Sequence, residues 1–391
     1  MKMTQYLKWK ANPSKGEVFT PISLVSEMLD KIPDEVWKNP NSKFLDSCMG
    51  KGTFLIEIVR RLIYIYGYTE IDAKSRVYGY DIRVKYINHL LRRGFVNVRH
   101  KDFLNEEINM KFDAIVGNPP YQIKVGPRKT EPIWDKFANK CFSLLKDGGY
   151  ISLIHPSGWR NVEGRFKETQ RLFLNNKMIY LRMNNEKRGM EIFGAETRFD
   201  YYLIQKTPND SHTTKVVFQD EVVKEMLLND MEFIPSGNME LLDKLLAKNG
   251  EQTVEVIHSY SNYETRKSWM SKVQNEEYIH PVIYTIDYQS QPSLYYSSTN
   301  QNGHFGKSKV IWSNGRISSV GSLIDLEGQY GLTQFAYAIV DNPENLSRIK
   351  RALDSKKFKD FMELCAVGQL TINHKIIGRF KKDFWKEFVD E

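Results

Sequence analysis

The stretch FDAIVGNPPYQ, residues 112–122, sets how the whole chain is to be read. Its first half is an apolar run with β-branched residues, the signature of a buried strand. Its second half stops that strand abruptly. Pro119 and Pro120 lock two φ angles and remove two backbone N–H donors. An amide, Asn118, precedes them and an aromatic ring, Tyr121, follows. The result is a rigid strand end with acceptors and a flat surface.

Upstream the same pattern recurs. KFLDS (43–47) is a short buried strand that passes through a glycine-containing loop, SCMGKG, into the helix TFLIEIVRRLIYIYG (53–67). RVYGYDI (76–82) is the next strand, and RVKYINHLLRRG (83–94) the next helix. VNVRHKDFL and FDAIVGNPPY supply two more strands, PIWDKFANKCFSLLKDGG an amphipathic helix, YISLIHPS a strand and TRFDYYLIQK another. Ahead of them PISLVSEMLDKI reads as a helix with Pro21 in its first turn. Strands alternating with helices of this length predict an α/β fold, a doubly wound, mostly parallel sheet. Ligands of such sheets lie beyond the carboxyl ends of the strands.

The unusual residues fall at those ends. Gly50 and Gly52 permit a tight turn and close backbone approach at a helix N-terminus. Asp46 ends the first strand and suits an ammonium partner. Asp81 ends the second, a position suited to ribose hydroxyls, and Asp102 follows the third, where it can accept from an amino group. A lone Asp is more often a cap or a turn former. Three in series beside a GxG loop point to a ligand.

The ordered set GEVFTP, DSCMGKGTF, YGYDI, KDFL and GNPPY resembles the gamma-class S-adenosylmethionine-dependent N6-adenine DNA methyltransferases with the NPPY motif, over residues 16 to about 206. The resemblance implies S-adenosyl-L-methionine as cofactor and a Rossmann-like methyltransferase sheet followed by a target recognition domain. By that likeness Phe19, Thr20 and Pro21 would pack on the methionine end of the cofactor. Asp46, Cys48 and Gly50 would hold its amino-acid part, Asp81 its ribose, Asp102 its adenine amino group, and Ile82 and Phe103 would sandwich the purine. Asn118 and the Pro119 carbonyl would accept from the target amino group within the clamp Asn118, Pro119, Pro120 and Tyr121. Tyr121 and Phe193 would stack on a flipped-out base, with Phe199 and Tyr201 competing for the second place. The family's usual proline after the first Asp is Ser47 here. In the loop beyond Tyr121, Lys124, Arg128 and Lys129 are candidate contacts to the DNA backbone, with a merely solvated loop as the alternative.

The expected activity is site-specific, adenine-specific methylation of double-stranded DNA, with a separate restriction endonuclease as a candidate partner. Methylation of RNA adenine or protein glutamine by the same clamp is the alternative, and a methyltransferase fold kept only for binding is a third. Net charge agrees with a polyanion partner: residues 1–206 carry 35 Lys and Arg against 23 Asp and Glu, whereas residues 207–391 carry 21 against 25. Cys48, Cys141 and Cys365 are scattered, with no CxxC pair to suggest zinc, and their number fits a reducing, cytoplasmic setting. No apolar run reaches the roughly 18 residues of a membrane span, and no metal is expected.

The cluster KTPNDSHT (206–213) predicts a boundary: a catalytic domain over 1–206, a linker over 207–213, and an α+β target recognition (DNA-binding) domain over 214–391. In the latter, RKSWMSK, NQNGHFGKSK and WSNGRISS are candidate reading loops. The C-terminal GRFKKDFWKEF reads as an amphipathic packing helix.

Overall fold

The computed structural model describes residues 19–127, 129–367 and 370–389. The chain divides into two compact units, the first ending at Phe233 and the second running from Ile234.

In the first unit the strands are β1 (Phe44–Asp46), β2 (Val77–Asp81), β3 (Val98–His100), β4 (Phe112–Gly117), β5 (Gln122–Lys124), β6 (Thr130–Pro132), β7 (Leu145–Pro156), β8 (Asn176–Asn184), β9 (Phe199–Pro208), β10 (Thr214–Val217) and β11 (Val223–Met226). The helices are α1 (Ile22–Leu29), α2 (Asp34–Lys38), α3 (Thr53–Tyr64), α4 (Glu70–Ser75), α5 (Val84–Leu91), α6 (Trp134–Leu144), α7 (Lys167–Leu174) and α8 (Glu186–Phe193). All the strands but β5 and β6, which form a separate hairpin, join one nine-stranded sheet in the order β11-β10-β8-β9-β7-β4-β1-β2-β3.

Strands β1 to β4, β7, β8 and β10 share one direction, and β9 and β11 run against them. The carboxyl ends of β1, β2, β4, β7 and β8 therefore lie along one edge, and β9 begins there. The apolar runs read from the sequence form the middle of this sheet. Phe44, Leu45, Ala114, Ile115, Val116, Ile151 and Leu153 are all fully buried, as strands covered on both faces must be.

Two sequence expectations are corrected. The boundary at 206–213 does not end the sheet: β10 pairs in parallel with β8 from Lys215 to Val217, and β11 closes the edge. The polar cluster is a turn that returns the chain to its own sheet. The helix expected at GRFKKDFWKEF is absent. Phe380 and Lys381 bridge to Leu246 and Thr253, and only a 3-10 turn, Phe384–Glu387, follows. The packing role survives without the helix, for Phe380 and Phe384 are fully buried.

The second unit is α+β. It contains α9 (Met239–Leu245), then β12 (Glu255–Ile257), β13 (Met270–Ser271), β14 (His280–Ile286), β15 (Pro292–Ser297), β16 (Lys309–Ser313), β17 (Ser322–Asp325), β18 (Gly331–Leu332) and β19 (Ala336–Val340), and then α10 (Leu346–Asp354), α11 (Lys356–Cys365) and α12 (His374–Ile377). Two four-stranded sheets result, β12-β19-β16-β17 and β13-β15-β14-β18. Ile283, Ile286, Ile311, Leu332 and Ala338 fill one core between them. In the same unit Lys309 and Asp325 form a fully buried ion pair at 2.5 Å.

Candidate active site

The first strand ends in Asp46, and its carboxylate folds back on the loop it opens. Asp46 Oδ1 accepts from the Cys48 amide at 3.1 Å. The loop turns at Gly50 (φ +52°) and Gly52 (φ +81°) before α3 begins. Gly50 N–H donates to Asp81 Oδ2 at 3.0 Å, and Asp81 Oδ1 accepts from the Arg83 amide at 2.8 Å. The two acids at neighbouring strand ends thus hold one loop between them. Burial, opposed by the Cys48 hydrogen bond and aided by the Asp81 charge, pushes the Asp46 carboxyl up to about 7. No cation among the described residues offsets that burial. A buried acid without a counter-charge is poised for a cationic ligand.

Strand β4 meets the same carboxylate. Gly117 has φ +154°, and a Cβ there would stand 2.9 Å from Asp46 Oδ1 and 3.9 Å from Cys48 Sγ. The G of GNPPY is therefore required by the approach of β1 to β4. One residue on, Asn118 Nδ2 donates to Thr20 Oγ1 at 3.2 Å, which ties the clamp to the segment before α1. Asn118 Oδ1 is buried and has no hydrogen-bond partner among the described residues. An unpaired buried acceptor costs about 1–3 kcal/mol, and such strain belongs where a ligand relieves it. Phe19, Thr20, Asp46, Cys48, Gly50, Lys51 and Asn118 all line one cavity. Lys51 lies over the Phe19 ring, 4.2 Å from its centroid.

The remaining expected residues are placed unevenly. Pro21 caps α1 rather than entering it. Ile82, beside Asp81, is 64% exposed. Asp102 is exposed and closes a turn, accepting from the Leu104 amide and from Asn105 Nδ2. Phe103 departs from expectation. It is 2% exposed, stacked on Phe137 of α6 at 5.7 Å and packed edge-on to Tyr80, with Lys140 over its ring. In this conformation it is a core residue with no open ring face.

Pro119 is buried and Pro120 half-buried, as is Tyr121. The Tyr121 hydroxyl is buried without a partner among the described residues, and burial together with the Asp200 charge drives its proton affinity far up. Of the candidates for a second ring, Phe199 and Tyr201 are fully buried in β9. Phe193 is half-buried at the end of α8, edge-on to Phe199 at 5.0 Å, and is the one with open surface. Lys124 and Lys129 are exposed in the β5–β6 hairpin, Lys129 paired with Glu131 at 2.9 Å. Arg128 lies outside the described residues.

One group escaped sequence reading. Asp200, at the start of β9, is fully buried. It accepts from Ser157 Oγ, Trp159 Nε1 and Arg160 Nε at 2.8–3.0 Å. Its charge reaches Tyr121, so this hub fixes the turn after β7 beside the clamp. The signal was an acid inside the apolar run RFDYYLI. Titratable groups nearby are unsuited to proton or covalent chemistry. Burial pushes the Cys48 thiol well up and the Cys141 thiol up to about 12, and lowers His155 to about 4. Among the described residues no cluster of three or more His, Cys, Asp or Glu could hold a metal ion.

What remains is a cavity with a buried acid, a glycine cradle and an unfilled amide acceptor. Residues 51–189 match the Eco57I restriction-modification methylase family. The matched stretch runs from the loop before α3 into α8 and includes the clamp. The Type II methyltransferase M.VspI of Vibrio sp. (strain 343) is 24% identical over 218 residues, 51% of this chain and 50% of that protein. An uncharacterized adenine-specific methylase of Mycoplasma pneumoniae is 22% identical, over 49% of this chain and 68% of that one. The chain spans half the length of M.VspI. Among solved structures, a nuclease-deletion mutant of the Type ISP restriction-modification enzyme LlaGI, in complex with a DNA substrate mimic, shares the fold. Its TM-score is 0.56 at 13% identity, over 91% of this chain and 45% of that one. The family match and the two relatives agree with the methyltransferase resemblance read from the motifs.

Proposed function

We propose that the protein transfers a methyl group from S-adenosylmethionine to N6 of an adenine flipped out of DNA, as a restriction-modification methyltransferase. The observation that carries this reading is the orphaned Asn118 Oδ1, buried in the same cavity as Asp46 and Gly50.

The residues fit the cofactor. Asp46 offers a buried carboxylate to its ammonium group. Gly50 lines the cavity without a Cβ, which allows close approach of its amino-acid part, and the exposed Ile82 side chain lies one residue from Asp81, the acid suited to ribose. Bound there, S-adenosylmethionine supplies an electrophilic methyl group. The chain supplies position and polarity. The exocyclic nitrogen of adenine is a poor nucleophile because its lone pair is delocalised into the ring. Two acceptors, Asn118 Oδ1 and the Pro119 carbonyl, draw on its two hydrogens and favour a tetrahedral nitrogen. The two prolines keep that strand end rigid and free of competing donors. Tyr121 and Phe193 are the rings that would hold the base in place. No general base is called for, in keeping with the neutral His155 and the protonated thiols.

The catalytic unit runs to Phe233 in this reading, and residues from Ile234 on form the target recognition unit. Adenine as the target base follows from the NPPY clamp. The name of the Mycoplasma relative, an adenine-specific methylase, supports the same choice. A separate endonuclease partner is part of the proposal through the restriction-modification family match. The test is incubation with tritiated S-adenosylmethionine and plasmid DNA, total RNA or cell lysate. Label in DNA is the expected result; label confined to RNA or protein would defeat the proposal.

A further inference from the structure

The first unit contains another open cavity, which the methyl-transfer chemistry does not use. It lies at the carboxyl end of β8, in the first turns of α8 and in the β10–β11 turn, and Arg182, Lys187, Arg188, Glu191, Gln219 and Glu221 line it. Three cations thus face two carboxylates. Gln219 Nε2 and Arg188 Nε are buried donors with no hydrogen-bond partner among the described residues. Two more donors have exposed carboxylates as their nearest partners, and Arg182 Nε also lies 3.8 Å from Glu27 Oε1. Glu221, 68% exposed, grips Arg182 at 2.7 and 2.8 Å. Glu191, 49% exposed, reaches Arg188 Nη1 at 3.3 Å. Exposed pairs of this kind are weak and are readily exchanged for a better anion.

The inventory is donor-rich and acceptor-poor. Guanidinium, ammonium and an amide nitrogen converge, and Arg188 Nε and Gln219 Nε2 are left without an acceptor among the described residues. A ligand with two adjacent anionic oxygens would satisfy both orphaned donors and engage the cations by charge-assisted hydrogen bonds. The position identifies that ligand further. In the sheet β8 is three strands from β4, about 14 Å at the usual strand spacing. Arg188 and Phe193 sit on the same helix, five residues apart, about 7.5 Å along its axis. One rigid element therefore carries both the proposed base-stacking ring and the floor of the cationic cavity.

We propose that this cavity binds a backbone phosphate of the nucleic-acid strand flanking the flipped base, with Arg188 and Gln219 as its donors. The inference rests on the nucleic-acid reading above. Occupancy of the cavity anchors α8, and with it Phe193, when the target strand is seated. The contact carries no sequence information and sets register.

The experiment measures methyl transfer to linear plasmid DNA by the full chain across a range of NaCl concentrations. Wild type, Arg188→Gln and Gln219→Glu are compared. Arg188→Gln is expected to raise KM for DNA about tenfold, as for the removal of one charge-assisted hydrogen bond. It should also make the slope of log(kcat/KM) against log[NaCl] shallower by about one, since one fewer phosphate is neutralised. Gln219→Glu, nearly isosteric, sets a carboxylate against the phosphate and should weaken DNA use further. Calorimetric binding of S-adenosylhomocysteine, unchanged in both variants, shows that they fold. Failure of the wild type to label DNA would defeat the DNA reading and this assignment with it. Label by the wild type with an unchanged salt slope in both variants, or a loss confined to kcat, would overturn this assignment alone. Inhibition by free inorganic phosphate at constant ionic strength that Arg188→Gln abolishes, with the DNA slope unchanged, would assign the cavity to free phosphate instead.

Discussion

Replacing Asp46 by Asn should push stability and cofactor binding in opposite directions. In the free protein the Asp46 carboxyl is raised to about 7, chiefly by burial, against an ordinary value of about 3.9. The sign follows from linkage. An acid whose folded value lies above its unfolded value is protonated more readily in the fold, so ionising it destabilises the fold as pH rises from about 4 to about 7. The shift of about three units corresponds to at most about 4 kcal/mol of destabilisation above pH 7. The asparagine side chain would be neutral throughout and would keep an acceptor for the Cys48 amide. The Asp46→Asn protein should therefore unfold higher at pH 8, by at most about 8–16 °C for a unit of this size, and no higher at pH 4. Its affinity for S-adenosylhomocysteine should fall about 10- to 100-fold at pH 8, the worth of a charge-assisted hydrogen bond to the ligand ammonium. In the wild type the same affinity should weaken as pH falls below about 7, and the variant should lose that dependence. Scanning calorimetry without ligand, and isothermal titration with it, give both numbers. A variant that is less stable at pH 8, or that binds as tightly as the wild type, would sink the assignment of Asp46 to the ligand ammonium.

Three other outcomes are expected. Asn118→Ala should lower kcat by about 10²- to 10³-fold, as removal of one preorganised polar group does. Its thermal stability should change little, because removal of the orphaned Oδ1 offsets loss of the Nδ2 hydrogen bond to Thr20, and calorimetry and single-turnover assays check both expectations. Tyr121→Ala should weaken binding of DNA with a mismatched target adenine by about 1–3 kcal/mol, the cost of a missing base stack, measured by fluorescence titration at fixed salt. In the second unit, Lys309→Met leaves Asp325 buried without its partner and should cost about 3–5 kcal/mol in urea unfolding; a change under about 1 kcal/mol would show that the pair is not a single buried unit.

Much of the first unit was legible because its signals are local. Buried runs such as FDAIV and KFLD ended at turn-forming residues, so Asp46, Asp81 and Asn118 could be assigned to one sheet edge before any contact was known. What stayed hidden is non-local. That Phe103 is closed off depends on Phe137 and Lys140 of α6, more than thirty residues away. The run NKMIYLRMN, which forms β8, has no clean alternation, and without β8 the strand at 214–217 had no visible partner. The PNDS cluster marks a turn, and a turn does not say whether the chain leaves its sheet. Asp200 was unremarked because its meaning comes from Ser157, Trp159 and Arg160, brought beside it by β7 and its following turn. The C-terminal aromatics were rightly read as packing, but their period misled: Phe380, Phe384 and Phe388 are spaced as on a helix, yet bridges to Leu246 and Thr253 take the backbone hydrogen bonds instead.

The proposed function stands or falls on whether this clamp methylates an adenine amino group. Mass spectrometry of the nucleosides from plasmid DNA, incubated with the protein and deuterated-methyl S-adenosylmethionine, reads that reaction without an intermediary. Labelled N6-methyladenine is expected from the wild type, and its initial rate of formation should fall about 10²- to 10³-fold in the Asn118→Ala protein. Label on cytosine alone, or undiminished N6-methyladenine from Asn118→Ala, would contradict the clamp chemistry.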